Sequence, residues 1–482
     1  MKVSEHYQLG RRQPELEFVD VELERDTPLF VDPRALRLLD SEWAEECVSL
    51  VQDFFRHVLT LIGEGRNPRA RTLLRALREP NETRLGLSRG KPQGHGLGRD
   101  SAQGVWQELS ESEAVRSGLL EDLEDTILMI PGIDNDIISD ITTNLIRGPL
   151  IAFTQEVADF YGIELSPGVA SGPMWDPIRH EWIEDHVPLP MPPGGKLLLV
   201  PKSIVRKRME YDPAEYYNHY ILEALQDIEM SAGSELVELL RNGNRRVTKK
   251  SLKEKYGTGK AVSARLTHQH PEILDRFRSD RRASPTAPLS HEDLAAAEGD
   301  THPSAPDWDG LLEAVISVPS GQRDADAYHR AVEALMQALF YPALVNPVRE
   351  SRIHAGRKRI DIRFSNNSKD GFFWRVHSHH GVAAGYVVVE CKNYSEDVAN
   401  PEVDQVSGRF DGTRGQLGLL VCRTLEDRDT CTARCRDTAN DGRGWVLPLE
   451  DSDLRALVEE RKTNPDAVTF QRLEDIFSEV IS

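Results

Sequence analysis

Apolar residues recur at helical spacing early in the chain. Trp43, Cys47, Leu50, Val51, Phe54, Val58 and Ile62 fall on one face, which predicts an amphipathic helix capped by Asp40 or Ser41. Further helical stretches are expected over roughly 111–130, from near Ile137 toward Tyr161, and over 212–230. The Gly-rich run 84–104 reads as a loop, and the short apolar run 196–201, bounded by Gly and Pro, as a buried strand. In the last third the pattern changes. Residues 328–340 place Val332, Leu335, Met336 and Leu339 in one stripe, with Glu333 beside it. Residues 357–364 alternate: Ile360, Ile362 and Phe364 share one face, and Arg359, Asp361 and Arg363 the other. Residues 386–392 are apolar on both faces, as a central strand must be. Two more strands, 417–422 and 444–448, and helices over 401–410 and 449–460 complete an α-β-β-α-β-β-α series.

The two patterns are separated by 281–306, which is rich in Pro, Ala, Ser and Thr and poor in large apolar residues. It is expected to be a mostly flexible linker with a short helix over 291–298. This divides the chain into an N-terminal region, 1–280, of mixed and mainly α-helical character with a few strands, and an α/β module, 307–482. At 482 residues, 39% hydrophobic and 29% charged, the composition is that of a soluble globular protein. No apolar run is long enough to span a membrane, and the opening residues carry no apolar core of a secretory leader. Five cysteines without a repeating framework fit a reducing compartment, so the expected location is cytoplasmic. Fifty-nine Lys and Arg against 79 Asp and Glu leave a net charge of −20. Such a chain repels nucleic acid on average, so any contact with it needs a local basic patch.

One such patch lies in the N-terminal region. Arg241, Arg245, Arg246, Lys249, Lys250, Lys253, Lys255 and Lys260 stand against a single acid, Glu254. They suit phosphate contacts, with Arg245, Arg246, Lys249 and Lys250 the candidates, or form a solvated helix face. Other features carry less. Gly94, Gly96 and Gly98 lack the strand that leads into a dinucleotide loop. Gly257-Thr258-Gly259-Lys260 ends in Ala261 where a phosphate loop needs Ser or Thr. Asp134, Asp136 and Asp140 miss calcium-loop spacing and read as helix capping at Asp136 with Asp140 one turn on. His377, His379 and His380, and the Cys422, Cys431 and Cys435 set, read as nonspecific surface histidines and core cysteines.

The C-terminal acids are different. Glu390 and Lys392 are two apart on a buried strand and so share a face, an expensive arrangement without a task. Placed beside Asp361 from a neighbouring strand, they would offer two hard carboxylate ligands for Mg²⁺ and a cation to offset charge developing on a phosphate.

This arrangement resembles the PD-(D/E)xK superfamily of restriction-endonuclease-like nucleases, in particular its Mrr-like branch, over roughly 308–457. Asp361 is similar to the family's first metal-binding acid, Glu390-Cys391-Lys392 to its (D/E)xK element, Glu333 to the acid on the preceding helix, and Gln405 to the Gln that follows the core motif. Ile360 replaces the usual Pro, and a long insert separates Asp361 from Glu390, of a length to cover the cleft or meet substrate.

The resemblance implies a mixed central sheet flanked by helices. It also implies catalysis by Asp361, Glu390, Lys392 and Gln405, and Mg²⁺, replaceable by Mn²⁺, on Glu333, Asp361 and Glu390. Arg357, Lys358, Arg359 and Arg363, which flank Asp361, are the natural grip on a phosphate backbone. The expected activity is DNA phosphodiester hydrolysis in a prokaryotic restriction or anti-phage system. The chain would act as a homodimer or larger homo-oligomer, and a separate ATPase or helicase would supply any translocation. The rival readings are a non-catalytic nucleic-acid-binding module and an RNA-directed nuclease toxin.

Overall fold

The computed structural model describes residues 1–87, 109, 115, 119–239, 244–284, 286–299, 306–349, 362–394, 400–410, 415–465 and 468–482. The first long helix, α1 (Glu42–Gly63), starts where Ser41 Oγ accepts the Ala44 N–H, and it buries Cys47, Val51, Phe54, Val58 and Ile62. The helix expected between 137 and 161 is two, α2 (Asn135–Leu145) and α3 (Arg147–Tyr161). Pro149 has no N–H to bond Leu145, so one continuous helix would leave that carbonyl unpaired, and the axis breaks at Ile146. The α2 cap is Asp134, whose carboxylate accepts the Ile137 N–H, rather than Asp136.

Two other expectations are corrected. Within 111–130, residues 111–114 and 116–118 lie outside the described residues; the chain is not helical over 119–124, and a helix covers Asp125–Met129. The Asp125 carboxylate instead takes the N–H groups of Glu121 and Asp122 at 3.0 Å each and folds the preceding turn. The 196–201 run is buried but is not a regular strand. Its backbone bonds scatter, with Leu197 to Pro190, Leu198 to Glu82 and Leu199 to the Thr154 hydroxyl, so no single ladder forms. The N-terminal strands are short antiparallel pairs: β1 (Phe30–Val31) with β6 (Val205–Arg206), β2 (Ser166–Ala170) with β5 (His186–Leu189), β3 (Met174–Asp176) with β4 (Glu181–Ile183), and β7 (Glu238–Leu239) with β8 (Arg245–Arg246). Four helices follow the β1–β6 ladder: α4 (Leu222–Ala232), α5 (Lys249–Tyr256), α6 (Lys260–Gln269) and α7 (Glu272–Ala283).

The C-terminal region is α/β. A mixed five-stranded sheet runs in the order β13 (Trp445–Leu449), β12 (Leu417–Cys422), β11 (Tyr386–Lys392), β10 (Ile362–Asn366), β9 (Leu344–Arg349). β9, β10 and β11 are antiparallel neighbours, whereas β11, β12 and β13 are parallel. The long insert is not a cover over a cleft. It forms a short helix (Gly371–Ser378) whose Phe372, Phe373 and Val376 are buried, with Phe373 edge-on to Phe340 and Phe470. Three apolar side chains on one side of a short helix cost more in water than in the core, and that decides where the insert goes.

Between the regions, the segment expected to be a flexible linker carries α8 (His291–Ala297), begun by a Ser290–Asp293 capping box. Leu294 is fully buried, and the His291 imidazole bonds the Ala338 carbonyl at 3.0 Å beside the Tyr341 ring. Burial first, and then the nearby Lys202 charge, push His291 down to about 3. Its charged form is disfavoured in the fold, so the stability is fully present above the ordinary pKa near 6.5 and is lost as pH falls below it. Between pH 7 and pH 5 wild type should lose about 2 kcal/mol more than His291→Gln. Urea midpoints of both proteins across that range check this, and parallel pH profiles would refute it.

Candidate functional site

β11 reaches the site because Val387, Val388 and Val389 are buried, fixing a central strand that ends in Glu390-Cys391-Lys392. Alternation puts Tyr386, Val388, Glu390 and Lys392 on one face, and Val389 and Cys391 on the other. Asn393 anchors the strand end by donating to the carbonyls of Pro319 and Gly321, and His329 bonds the Cys391 carbonyl at 2.8 Å. The polar face is met by the helix Asn400–Ser407. Gly418, the cross-strand partner of Val388, lets that helix approach, since a Cβ there would lie 2.7 Å from Val406 and 2.9 Å from Phe410.

Lys392 Nζ lies 2.7 Å from one Glu390 oxygen and donates to Gln405 Oε1 at 2.7 Å. Arg409 Nη1 donates to the other Glu390 oxygen at 2.6 Å. Glu390 and Lys392 are 2% and 3% exposed, so this is a buried carboxylate between two cations. The excess positive charge suits a phosphate brought to this face. Of the residues picked from sequence, the structure therefore brings Glu390, Lys392 and Gln405 together. Arg409 was missed. Its spacing is a legible signal, since it stands four residues after Gln405 and so returns to the same side of the chain. Arg363 pairs with Val388, shares the Glu390 face, and lies over the Tyr386 ring at 4.5 Å.

Glu333 is elsewhere. Arg349 shares a face with Ile362 and Val389, opposite to Glu390, and its guanidinium pairs with Glu333 and with Glu17, the latter at 2.5 Å. Arg11 closes on the other Glu333 oxygen at 2.8 Å, and Tyr161 donates to Glu17 at 2.7 Å. Burial works against the charges of Arg349 and Glu17. The two carboxylates more than reverse it for Arg349, which is held well above its ordinary range, and Arg349 more than reverses it for Glu17, which is held below its own.

Asp361, Arg357, Lys358 and Arg359 lie outside the described residues. Ile362, next to Asp361 in sequence, pairs with Val389, next to Glu390. Arg245 and Arg246 sit exposed on β8, with Arg246 3.3 Å from Glu238. On α5, Lys249 pairs with Glu223 at 3.2 Å and Lys250 points to solvent. His377 bonds backbone at Val382 and Ala384, and all five cysteines are buried free thiols. Among the described residues no group of three His, Cys, Asp or Glu side chains is gathered to hold a metal, and Glu390 is the single carboxylate that Lys392 touches. Glu390 thus offers one hard carboxylate oxygen donor, and the second acid expected from the sequence, Asp361, is outside the described residues.

Residues 8–212 match the model of a family described as a domain of unknown function, DUF8370. The match ends before α4, so it includes neither the basic helices nor the C-terminal sheet. No curated protein and no solved structure matches the chain. Among the described residues no helix is long and apolar enough to cross a membrane.

Proposed function

We propose that the C-terminal module is a metal-dependent endonuclease of the restriction-endonuclease-like kind, acting on DNA in the cytoplasm as part of a prokaryotic restriction or anti-phage system. One observation carries the reading: a buried Glu390–Lys392 pair, bonded to Gln405 and Arg409, at the end of the central strand of a mixed sheet. In this reading Glu390 and Asp361 hold Mg²⁺ or Mn²⁺, which when bound supplies a Lewis acid for the phosphoryl oxygen. Lys392 Nζ holds the attacking water, with Gln405 fixing the direction of the ammonium. Arg409 exchanges its bond to Glu390 for one to the phosphate as charge builds there. Arg363, at the edge of the same face, grips the backbone next to the scissile bond. Cutting both strands calls for two chains, and translocation for a separate ATPase.

A non-catalytic nucleic-acid-binding module is the second reading, favoured by both Glu390 oxygens being taken up by cations. The test is plasmid nicking and linearisation by the full chain with Mg²⁺ or Mn²⁺, beside RNA at equal salt. Cleavage that chelator abolishes is expected. Binding without cleavage under every metal favours the second reading, and cleavage of RNA alone replaces DNA as the substrate.

A further inference from the structure

Outside that site the largest unabsorbed feature is the basic run, and the structure gives it a shape. α5 and α6, of eight and ten residues, are joined by three residues, Gly257-Thr258-Gly259. Gly257 and Gly259 take φ of +87° and +98°, which L side chains resist, so the sharp corner is written into the glycines. The corner is also tied. Arg265 on α6 donates back to the Tyr256 carbonyl at 2.8 Å, and the Tyr217 hydroxyl donates to the Gly257 carbonyl. Ser263, Ala264, Leu266 and Thr267 bury one side of α6, with Thr267 Oγ1 2.8 Å from the Tyr216 hydroxyl. The opposite side presents Ala261, Arg265, His268 and Gln269 to solvent.

Between 245 and 265 there are eight cations and one acid on a chain of net charge −20. Three are neutralised in place: Arg246 by Glu238, Lys249 by Glu223, and Lys255 by Glu229. Lys260 is tied to the Ile133 carbonyl. Arg245, Lys253 and Arg265 have no ion pair among the described residues, and Lys250 only a 3.9 Å contact with its own-helix Glu254. Of these four, Lys250 alone has an i,i+4 partner among the described residues, so the charge along the two helices is left largely unbalanced.

We propose that α5 and α6 form a helix-turn-helix that seats α6 in the major groove of duplex DNA, with Arg245, Lys250 and Lys253 on the phosphates and Arg265, His268 and Gln269 toward the base edges. Duplex DNA is favoured on two grounds. The exposed side of α6 has no Phe, Tyr or Trp ring on which single-stranded bases would stack. The major groove of duplex RNA is too deep and narrow to admit a helix. The inference stands apart from cleavage, and chelator keeps the two separable.

The experiment is anisotropy of the full chain on a labelled random-sequence DNA duplex in chelator, at several salt concentrations, beside single-stranded RNA of equal length. Lys250→Ala/Lys253→Ala changes two solvated side chains and should bind about tenfold more weakly, with a salt slope smaller by about two. Arg265→Ala tests the groove-facing side. The proposal is overturned by absent duplex binding, by an unchanged slope in the double variant, or by a preference for RNA. Binding with no cleavage in metal would sink the nuclease reading and leave this one standing.

Discussion

Arg349→Met should destabilise the protein by about 3–5 kcal/mol, the cost of breaking a buried ion pair from one side. Arg349 lies between Glu17 and Glu333, whose side chains are 1% and 2% exposed. Without it, among the described residues, Glu17 keeps the Tyr161 hydroxyl and Gln337, and Glu333 keeps Arg11. The guanidinium carbon lies over the Phe160 ring at 3.6 Å, and methionine keeps an apolar side chain of similar length there while removing the charge. A second substitution separates charge from packing. Glu17→Gln added to Arg349→Met removes the orphaned charge and should recover more than half of the loss. Urea midpoints of the four proteins in the cycle decide it. An Arg349→Met variant within about 1 kcal/mol of wild type would mean that the cluster is solvated in solution.

Lys392→Met should lower the plasmid cleavage rate about 10²–10³-fold, the usual loss when one preorganised donor at a developing charge is removed. The fold should survive, because Glu390 retains Arg409 at 2.6 Å and the strand keeps its ladders to β10 and β12. Duplex binding in chelator is the control that a merely structural lysine would fail. A variant that cuts within threefold of wild type would remove Lys392 from the chemistry. Glu390→Gln should fall as far and should also weaken the response to metal concentration.

Where burial followed period alone, the sequence was readable. β11 and β12 were bounded from their apolar runs, and α1 from seven residues on one face. Where a polar side chain competed with the backbone, it was not. Asp125 bends the chain ahead of its helix, and Pro149 splits α2 from α3. The scattered partners of Leu197–Leu199 are tertiary facts that no local pattern encodes. The site was half legible. Glu390 and Lys392 follow from strand alternation and Gln405 from the family resemblance, but the face on which Glu333 ends depends on Arg349 and on Arg11, more than three hundred residues away in sequence. An acid on an amphipathic helix reads the same whether it awaits a metal or a guanidinium.

That last contact bears on how this protein could be taken apart. Arg11 and Glu17 complete a charge cluster whose other half, Glu333 and Arg349, belongs to the α/β module. The α/β module is therefore not a free-standing cassette. Transplanted without the strip around residues 11–17, it would carry two bare charges at a newly opened surface. A chimaera built at the 281–306 boundary inherits that defect, whereas one that brings the strip along restores the pairs.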